Sequence, residues 1–260
     1  MSNTWKFGGT DLSSLGVITL MDDFLDLPQA RAGNIEIPFK TGTVFVSPYY
    51  DETTLQMGMT ITAATADALE TALDTLKALL SPRTQQTLER TLTDTTKRTV
   101  SAIVNKRLQV TRPAPWIAKL VIEFELAQPF FRLSTVIADN TTIINSAPEP
   151  MTVTNTGTVA ERDATFLLTG PLTNVVITNS TAGGTLTYTG VIDAGETVTI
   201  GTLNGEYYAT HNVDGNVIGN VTHSGSSALM VFNVGANTLS IASDVITTGT
   251  VKISFYPPFL

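Results

Sequence analysis

From Thr142 to Tyr256 the sequence repeats one pattern, short apolar runs alternating with polar residues and closed by turn formers. The runs are Thr142–Ile144, Met151–Thr154, Thr165–Leu168, Val175–Thr178, Leu186–Tyr188, Thr197–Ile200, Leu229–Val231, Leu239–Ile241 and Val251–Tyr256. The closures include Asn155-Thr156-Gly157, Ala182-Gly183-Gly184, Asp193-Ala194-Gly195 and Asn204-Gly205. A side-chain period of two, interrupted every roughly 8–14 residues, cannot sustain a helix and predicts a β-sandwich or jelly roll.

The first half obeys different rules. Residues 1–132 carry 13 Lys/Arg and 14 Asp/Glu, net -1, whereas residues 133–260 carry only Arg162 and Lys252 against nine acids, net -7. The shift predicts two domains, 1–140 and 141–260, with Thr141–Pro150 as the junction. Two Lys/Arg in the second half are too few for a phosphate-tracking partner to bind by counterion release. There is no cysteine, so neither disulfides nor thiolate metal sites hold the chain. No apolar run approaches the roughly 18 residues of a membrane span, and membrane insertion is not expected. The opening Met1-Ser2-Asn3-Thr4-Trp5-Lys6-Phe7 lacks the pattern of a secretion signal, so cytosolic synthesis is expected.

Within the first half, residues 5–20 read as one or two short strands around Gly8-Gly9 and Gly16. Leu55, Met57, Met59 and Ile61 share one face of a strand. Leu69, Leu73, Leu76 and Leu80 then repeat at helical spacing, with Thr65 as N-cap and Ser81-Pro82 as the stop. Residues 86–112 predict two strands and Ala118–Leu126 another, giving an α+β domain with one helix. Between Pro28 and Tyr50, Ile35, Ile37 and Phe39 face Val44 and Phe45 across Lys40-Thr41-Gly42, a hairpin arm ending in Tyr49 and Tyr50. Pro38 places that arm at a sheet edge or outside the domain core. Two readings stay open: a hairpin packed on its own domain, or an arm that pairs with the next subunit by strand addition.

The catalytic inventory is poor: no catalytic, cofactor-binding or metal-ligating residues are assigned. His211 and His223, the only histidines, read as solvated loop residues without a third ligand at recognisable spacing. Asn212-x-Asp214-x-Asn216 imitates a calcium loop but has Val217 at the glycine position and His223 where a Glu should close it. Asp22-Asp23 and Asp193 with Glu196 read as turn acids rather than a glycosidase pair. Seven basic residues lie between Arg83 and Arg112, against Glu89 and Asp94. Two readings stay open for the cluster: a solvated strand face, or a candidate charged inter-subunit patch of Arg90, Lys97, Arg98, Lys106 and Arg107 that meets an acidic neighbour. Aromatics for base stacking are missing from the stretch.

Several segments, in order, resemble the distal tail proteins of long-tailed, non-contractile bacteriophages. They are Phe7-Gly8-Gly9-Thr10-Asp11-Leu12, the helix at 66–80, Ile122–Phe131, Asn155-Thr156-Gly157, Gly190–Ile200 and Val234-Gly235-Ala236-Asn237-Thr238-Leu239. Relatives often show a Pro-Gly-Arg-Asp-Gly-like turn in the arm, where this chain has Arg31-Ala32-Gly33-Asn34. The resemblance implies a mainly β protein with an N-terminal ring-forming α+β domain and a C-terminal galectin-like sandwich. It further implies a non-enzymatic virion component at the tail tip, built as a homohexameric ring. Its neighbours would be the tail tube, tape-measure, and hub or fibre proteins. Six copies at -8 each would leave an acidic channel through which DNA passes without specific binding. The alternative is a carbohydrate-binding module recognising host-surface glycans through the second domain, with Tyr188, Tyr207, Tyr208 and Phe232 as candidate contacts.

Overall fold

The computed structural model describes residues 4–20, 30–31, 34–36, 43–45, 49–81, 84–104, 106, 108–136, 138–145, 148–203, 206–224, 229–245 and 248–260. They separate into two compact units, Met1–Arg132 together with Leu260, and Leu133–Phe259. The division falls where the charge composition changes.

The first unit opens with β1 (Thr4–Phe7), β2 (Thr10–Asp11) and β3 (Val17–Leu20). Gly8 and Gly9, with φ of 55° and 83°, make the β1–β2 turn. An arm follows as four short strands, β4 (Ala30–Arg31), β5 (Asn34–Glu36), β6 (Thr43–Phe45) and β7 (Tyr49–Tyr50). Next come β8 (Thr53–Thr62), the helix α1 (Ala66–Leu80), β9 (Gln86–Thr91), β10 (Lys97–Ala102), β11 (Gln109–Ala114) and β12 (Ile117–Leu126). β13 (Phe131–Leu133) runs across the boundary into the second unit.

One sheet has the order β11-β12-β8-β3, and in another β2, β1, β9, β10 and β13 are successive neighbours. The long β8–β12 ladder sets Leu120 opposite Met59 and Phe124 opposite Leu55. The buried alternation of both strands therefore points to one side. Leu69, Leu73, Leu76 and Leu80 of α1 are buried and share that core with Trp5, Phe7, Leu88 and Val100. Thr65 caps the helix, its Oγ1 accepting from the Ala68 N–H at 3.2 Å. Burying each leucine contributes about 1.5–3 kcal/mol. β11 is a third strand where two were expected between 86 and 112. Its first five residues are exposed, so no apolar alternation marks it.

The second unit contains β14 (Ala138–Ile143), β15 (Glu149–Asn155), β16 (Thr165–Thr169), β17 (Leu172–Asn179) and β18 (Thr185–Ile192). It continues with β19 (Thr197–Leu203), β20 (Glu206–His211), β21 (Gly215–Asn216), β22 (Val221–Ser224), β23 (Gly235–Ala242), β24 (Thr250–Phe255) and β25 (Pro258–Phe259). Two antiparallel sheets carry it, ordered β14-β24-β16-β19-β20-β21 and β15-β23-β17-β18-β22. Both contribute to a single core: Phe166, Ile200 and Ile253 from one, Val153, Ile177 and Ile241 from the other. The chain is mainly β with one α-helix among the described residues.

Leu229–Val231, expected as a strand, is not one. Leu229 and Met230 are buried in the core from a loop, which explains their apolar character without a ladder. Three buried asparagines replace missing backbone partners where strands end. Asn155 Nδ2 donates to the carbonyls of Val159 (2.8 Å) and Phe232 (3.1 Å), while its Oδ1 accepts from Gly157 N–H at 2.9 Å. Asn179 Nδ2 donates to Val231 O at 2.8 Å, and Asn237 bonds both the N–H and the carbonyl of Asn233. A buried polar side chain is tolerated only with partners of this kind.

Candidate assembly surfaces

The arm pairs with itself as two separate ladders. Asn34, Ile35 and Glu36 lie opposite Phe45, Val44 and Thr43, and Ala30 and Arg31 lie opposite Tyr50 and Tyr49. Neither ladder joins a larger sheet among the described residues. Of the arm residues singled out from sequence, Ile37 and Phe39 lie outside the described residues. Ile35, Val44, Phe45 and Tyr49 are placed by their backbones on β5, β6 and β7. Tyr50 is exposed, and its ring meets Phe130 edge-to-face with centroids 5.3 Å apart.

The described basic residues of the candidate patch, Arg90, Lys97, Arg98 and Lys106, do not form one cluster. Strand alternation puts Arg90 and Arg98 on the same side as buried Leu88 and Val100, and they are direct cross-strand partners. Arg90 stacks over the Trp5 ring at 5.6 Å. Burial lowers the pKa of both guanidinium groups, and for Arg90 the neighbouring Arg98 charge adds to the effect. Lys97 points to the opposite side, 3.5 Å from Glu89. Lys106 forms an ion pair with Glu123 of β12, whose hydrogen bond and charge raise the lysine pKa. Arg107, like Arg83, lies outside the described residues.

The four-stranded sheet has two edges without a strand partner among the described residues, β3 and β11. On β3, Val17 is 71% exposed. On β11, Arg112 reaches across to Glu70 of α1, and their hydrogen bond lowers the Glu70 pKa and raises that of Arg112. Trp116, in the β11–β12 turn, is half exposed, with its carbonyl accepting from Ala63 N–H at 3.0 Å. The side of this sheet away from the helix carries Val17, Thr19, Gln56, Gly58, Thr60 and Val121, with Lys119, Glu123 and Glu125.

The second unit corrects one expectation. His211 is not a solvated loop residue but 2% exposed, on the inward face of β20 with Ala209. Its Nδ1 accepts from Asp214 N–H at 3.1 Å, which places the ring proton on Nε2. Nε2 lies 3.3 Å from Glu196 Oε2, outside hydrogen-bond geometry. The signal was present in the alternation of Ala209 and His211. Glu196 Oε2 also accepts from Asp193 N–H at 3.0 Å, closing the turn these two acids occupy. Asn216 likewise accepts from Ile218 N–H as a turn residue. Among the candidate glycan contacts, Tyr188 and Phe232 are core residues, 3% and 0% exposed. Tyr207 is 38% exposed and meets His223 edge-to-face at 5.4 Å. Among the described residues, no group of three or more His, Asp or Glu is arranged to hold a metal ion.

No protein-family model and no curated protein matches the sequence. Solved structures do match. The protein Dit (gp 19.1) of phage SPP1 aligns over 100% of both chains with a TM-score of 0.71 at 14% identity. The fold is that of SPP1 Dit. That protein is described as a paradigm of the hub adsorption apparatus in phages infecting Gram-positive bacteria. Chains of the phage p2 baseplate, in its activated conformation with strontium and with calcium, align over 98% at a TM-score of 0.44 and 8% identity. That likeness is too distant to argue from. The Dit fold accommodates both units of this chain, the helix-bearing one and the two-sheet one, in a single alignment. No helix among the described residues is long and apolar enough to cross a membrane.

Proposed function

We propose that the chain is a structural, non-enzymatic component of a long non-contractile phage tail tip. Six copies close into a ring that joins the tail tube to the host-adsorption apparatus and leaves a channel for DNA. The observation that carries this reading is the whole-length likeness of fold to SPP1 Dit. Two further features support it. The β11-β12-β8-β3 sheet offers, among the described residues, one unpaired edge at each side, which suits head-to-tail association that closes on itself. Among the described residues the β4–β7 arm forms ladders apart from the larger sheets, as an element that reaches a neighbour would.

In this arrangement the first unit, with residues 1–140 as its domain, makes the ring, and residues 141–260 project outward as the second domain. Tail tube, tape-measure, and hub or fibre proteins are its partners, and the virion tail tip is its location. The sheet face away from α1, rich in Thr and Gln with two acids and one lysine, would line the channel. Such a lining is closer to neutral than the total charge suggests.

Negative-stain electron microscopy of the purified chain tests the reading, together with Val17→Lys and a deletion of residues 28–50. Six-fold rings that disappear in Val17→Lys, with unchanged circular dichroism, are expected. Monomers alone at high concentration, even with purified tail tube protein added, would overturn it. A second reading, glycan recognition by the second unit, keeps one favourable observation in exposed Tyr207 beside His223. Its test is a glycan array on which signal must vanish in Tyr207→Ala.

A further inference from the structure

The inward face of β20 ends in a titratable residue that the assembly reading leaves unused. Ala209 and His211 both point into the second unit, and His211 is 2% exposed. Its imidazole is held in one protonation state. Nδ1 accepts from Asp214 N–H at 3.1 Å and, more weakly, from Val213 N–H at 3.4 Å. A nitrogen that accepts carries no proton, so the ring is neutral and its proton sits on Nε2. Nε2 is sealed from water and has no hydrogen-bond partner among the described residues.

The surroundings hold what a charged ring would need. Asp214 Oδ2 stands 3.4 Å from Nδ1, and Glu196 Oε2 stands 3.3 Å from Nε2. Asp193 lies behind Glu196, its N–H donating to the same Oε2 at 3.0 Å. The cross-strand partners of His211 carry no charge: they are Val198 of β19 and Gly215 of β21. In the core cluster of this unit, Tyr188 is the ionisable member among the described residues.

A second proton, taken from solvent onto Nδ1, is incompatible with the bonds the ring now makes. A donor cannot accept from two backbone N–H groups. The Asp214 N–H must release the ring, and the Asp214 carboxylate is placed to receive the new Nδ1–H. That carboxylate is the part able to move, since its side chain is 72% exposed while the ring is buried. One residue thus serves both states, through its backbone when the ring is neutral and through its side chain when the ring is charged. The strand itself is held independently of the ring. Val217 N–H donates to Ala209 O at 2.9 Å, and Asn212 Oδ1 accepts from Thr197 N–H at 2.9 Å.

We propose that His211 is a proton-operated switch for the turn at 212–215, exchanging the Asp214 N–H for the Asp214 carboxylate as its partner. An imidazole is the side chain whose charge ordinarily changes between about pH 5 and 8. Among the described residues β21, which follows this turn, is the last strand of its sheet. The switch therefore alters an edge of the second unit and leaves its core in place. The proposal does not depend on the assembly being a ring.

The test is NMR of the full chain from about pH 8 to about pH 5, following imidazole nitrogens and turn amides together. His211 Nδ1 should gain its proton in the same transition in which the Asp214 amide loses protection. The loss, corrected for intrinsic exchange, should be about tenfold, as removal of one hydrogen bond predicts. Val217 should keep its protection, and exposed His223 provides the reference ring. His211→Gln should abolish the pH dependence of the turn. Asp214→Ser, at an exposed position, keeps the N–H but removes the carboxylate, and should move the transition to lower pH. It also serves should His211→Gln fail to fold. A ring that stays neutral to about pH 5, or one that titrates while Asp214 keeps its protection, overturns the proposal. Loss of protection shared by Val217, an Asp214→Ser transition identical to wild type, or pH dependence that persists in folded His211→Gln does the same.

Discussion

Asn155 gives the sharpest handle on what holds the second unit together. The side chain is 1% exposed and closes the turn that leads out of β15. Replacing it with Ala removes three hydrogen bonds, but their consequences differ. The Phe232 carbonyl keeps the Glu161 N–H at 2.9 Å, so it is not left bare. The buried Gly157 N–H loses the acceptor at 2.9 Å, a cost of about 1–3 kcal/mol. The bond to Val159 O adds about 1 kcal/mol. A total near 3 kcal/mol should lower the melting point of a unit of this size by about 10 °C. Asn155→Asp keeps the Gly157 acceptor but turns the donor into an oxygen aimed at two carbonyls. Its folded pKa must then rise above the unfolded value of about 3.9. Stability is therefore fully present below that value and lost as pH rises through the folded pKa. The variant should approach wild type at pH 3.5 and fall well below it at pH 7. Both tryptophans, Trp5 and Trp116, lie in the first unit, so indole fluorescence misses this transition. Hydrogen exchange of β15 and β23 amides in urea reads it instead. Asn155→Ala within about 0.5 kcal/mol of wild type, or a pH-independent Asn155→Asp, would refute the reasoning.

Three further outcomes follow from the same structure. Leu73→Ala, at a helix position 1% exposed, should cost about 2–5 kcal/mol and shift the Trp5 fluorescence transition, because both residues share one core. Gly170→Ala should prevent stable folding of the second unit, since a Cβ would collide with the backbone carbonyls of Ile192 and Asp193. Gly219→Ala, which meets nothing within 4 Å, should melt like wild type. Glu70→Gln should differ from wild type most at neutral pH: the Arg112 hydrogen bond depresses the Glu70 pKa. The contribution of that pair is present above the unfolded carboxyl value and lost as pH falls through the folded one, so acid titration of the melting point should merge the two curves. Added salt should reduce the difference, because the pair is exposed.

Burial decided which elements could be read from the chain alone. Helix α1 was legible because its four leucines all face the core and Thr65 supplies the cap. The long strands β8 and β12 were legible for the same reason, each alternating cleanly between buried and partly buried positions. β11 and β22 were not, since edge strands with both faces largely exposed carry no apolar period. The error at Leu229–Val231 has the converse cause: a loop that enters the core is as apolar as a strand. The basic cluster shows a different limit. Counted along the chain, Arg90, Lys97 and Arg98 look like one patch, but strand alternation sends Arg90 and Arg98 to the side of Trp5 and Lys97 to the other. A charge count has no period, whereas a sheet does.

The 14% identity to a chain of the same fold raises the question of what the two sequences share. Core positions accept many apolar combinations if pattern and volume are kept, so they can specify a fold without matching residue for residue. Turns are less forgiving. Gly195 and Gly235 adopt φ of 88° and 90°, where a Cβ is disfavoured. Asn155 and Asn237 each satisfy several backbone groups that no apolar side chain could. The segments through which this chain resembles distal tail proteins include those built on these residues: Asn155-Thr156-Gly157, Gly190–Ile200 and Val234–Leu239. At these turns a single position thus has few physical solutions, while the core between them has many.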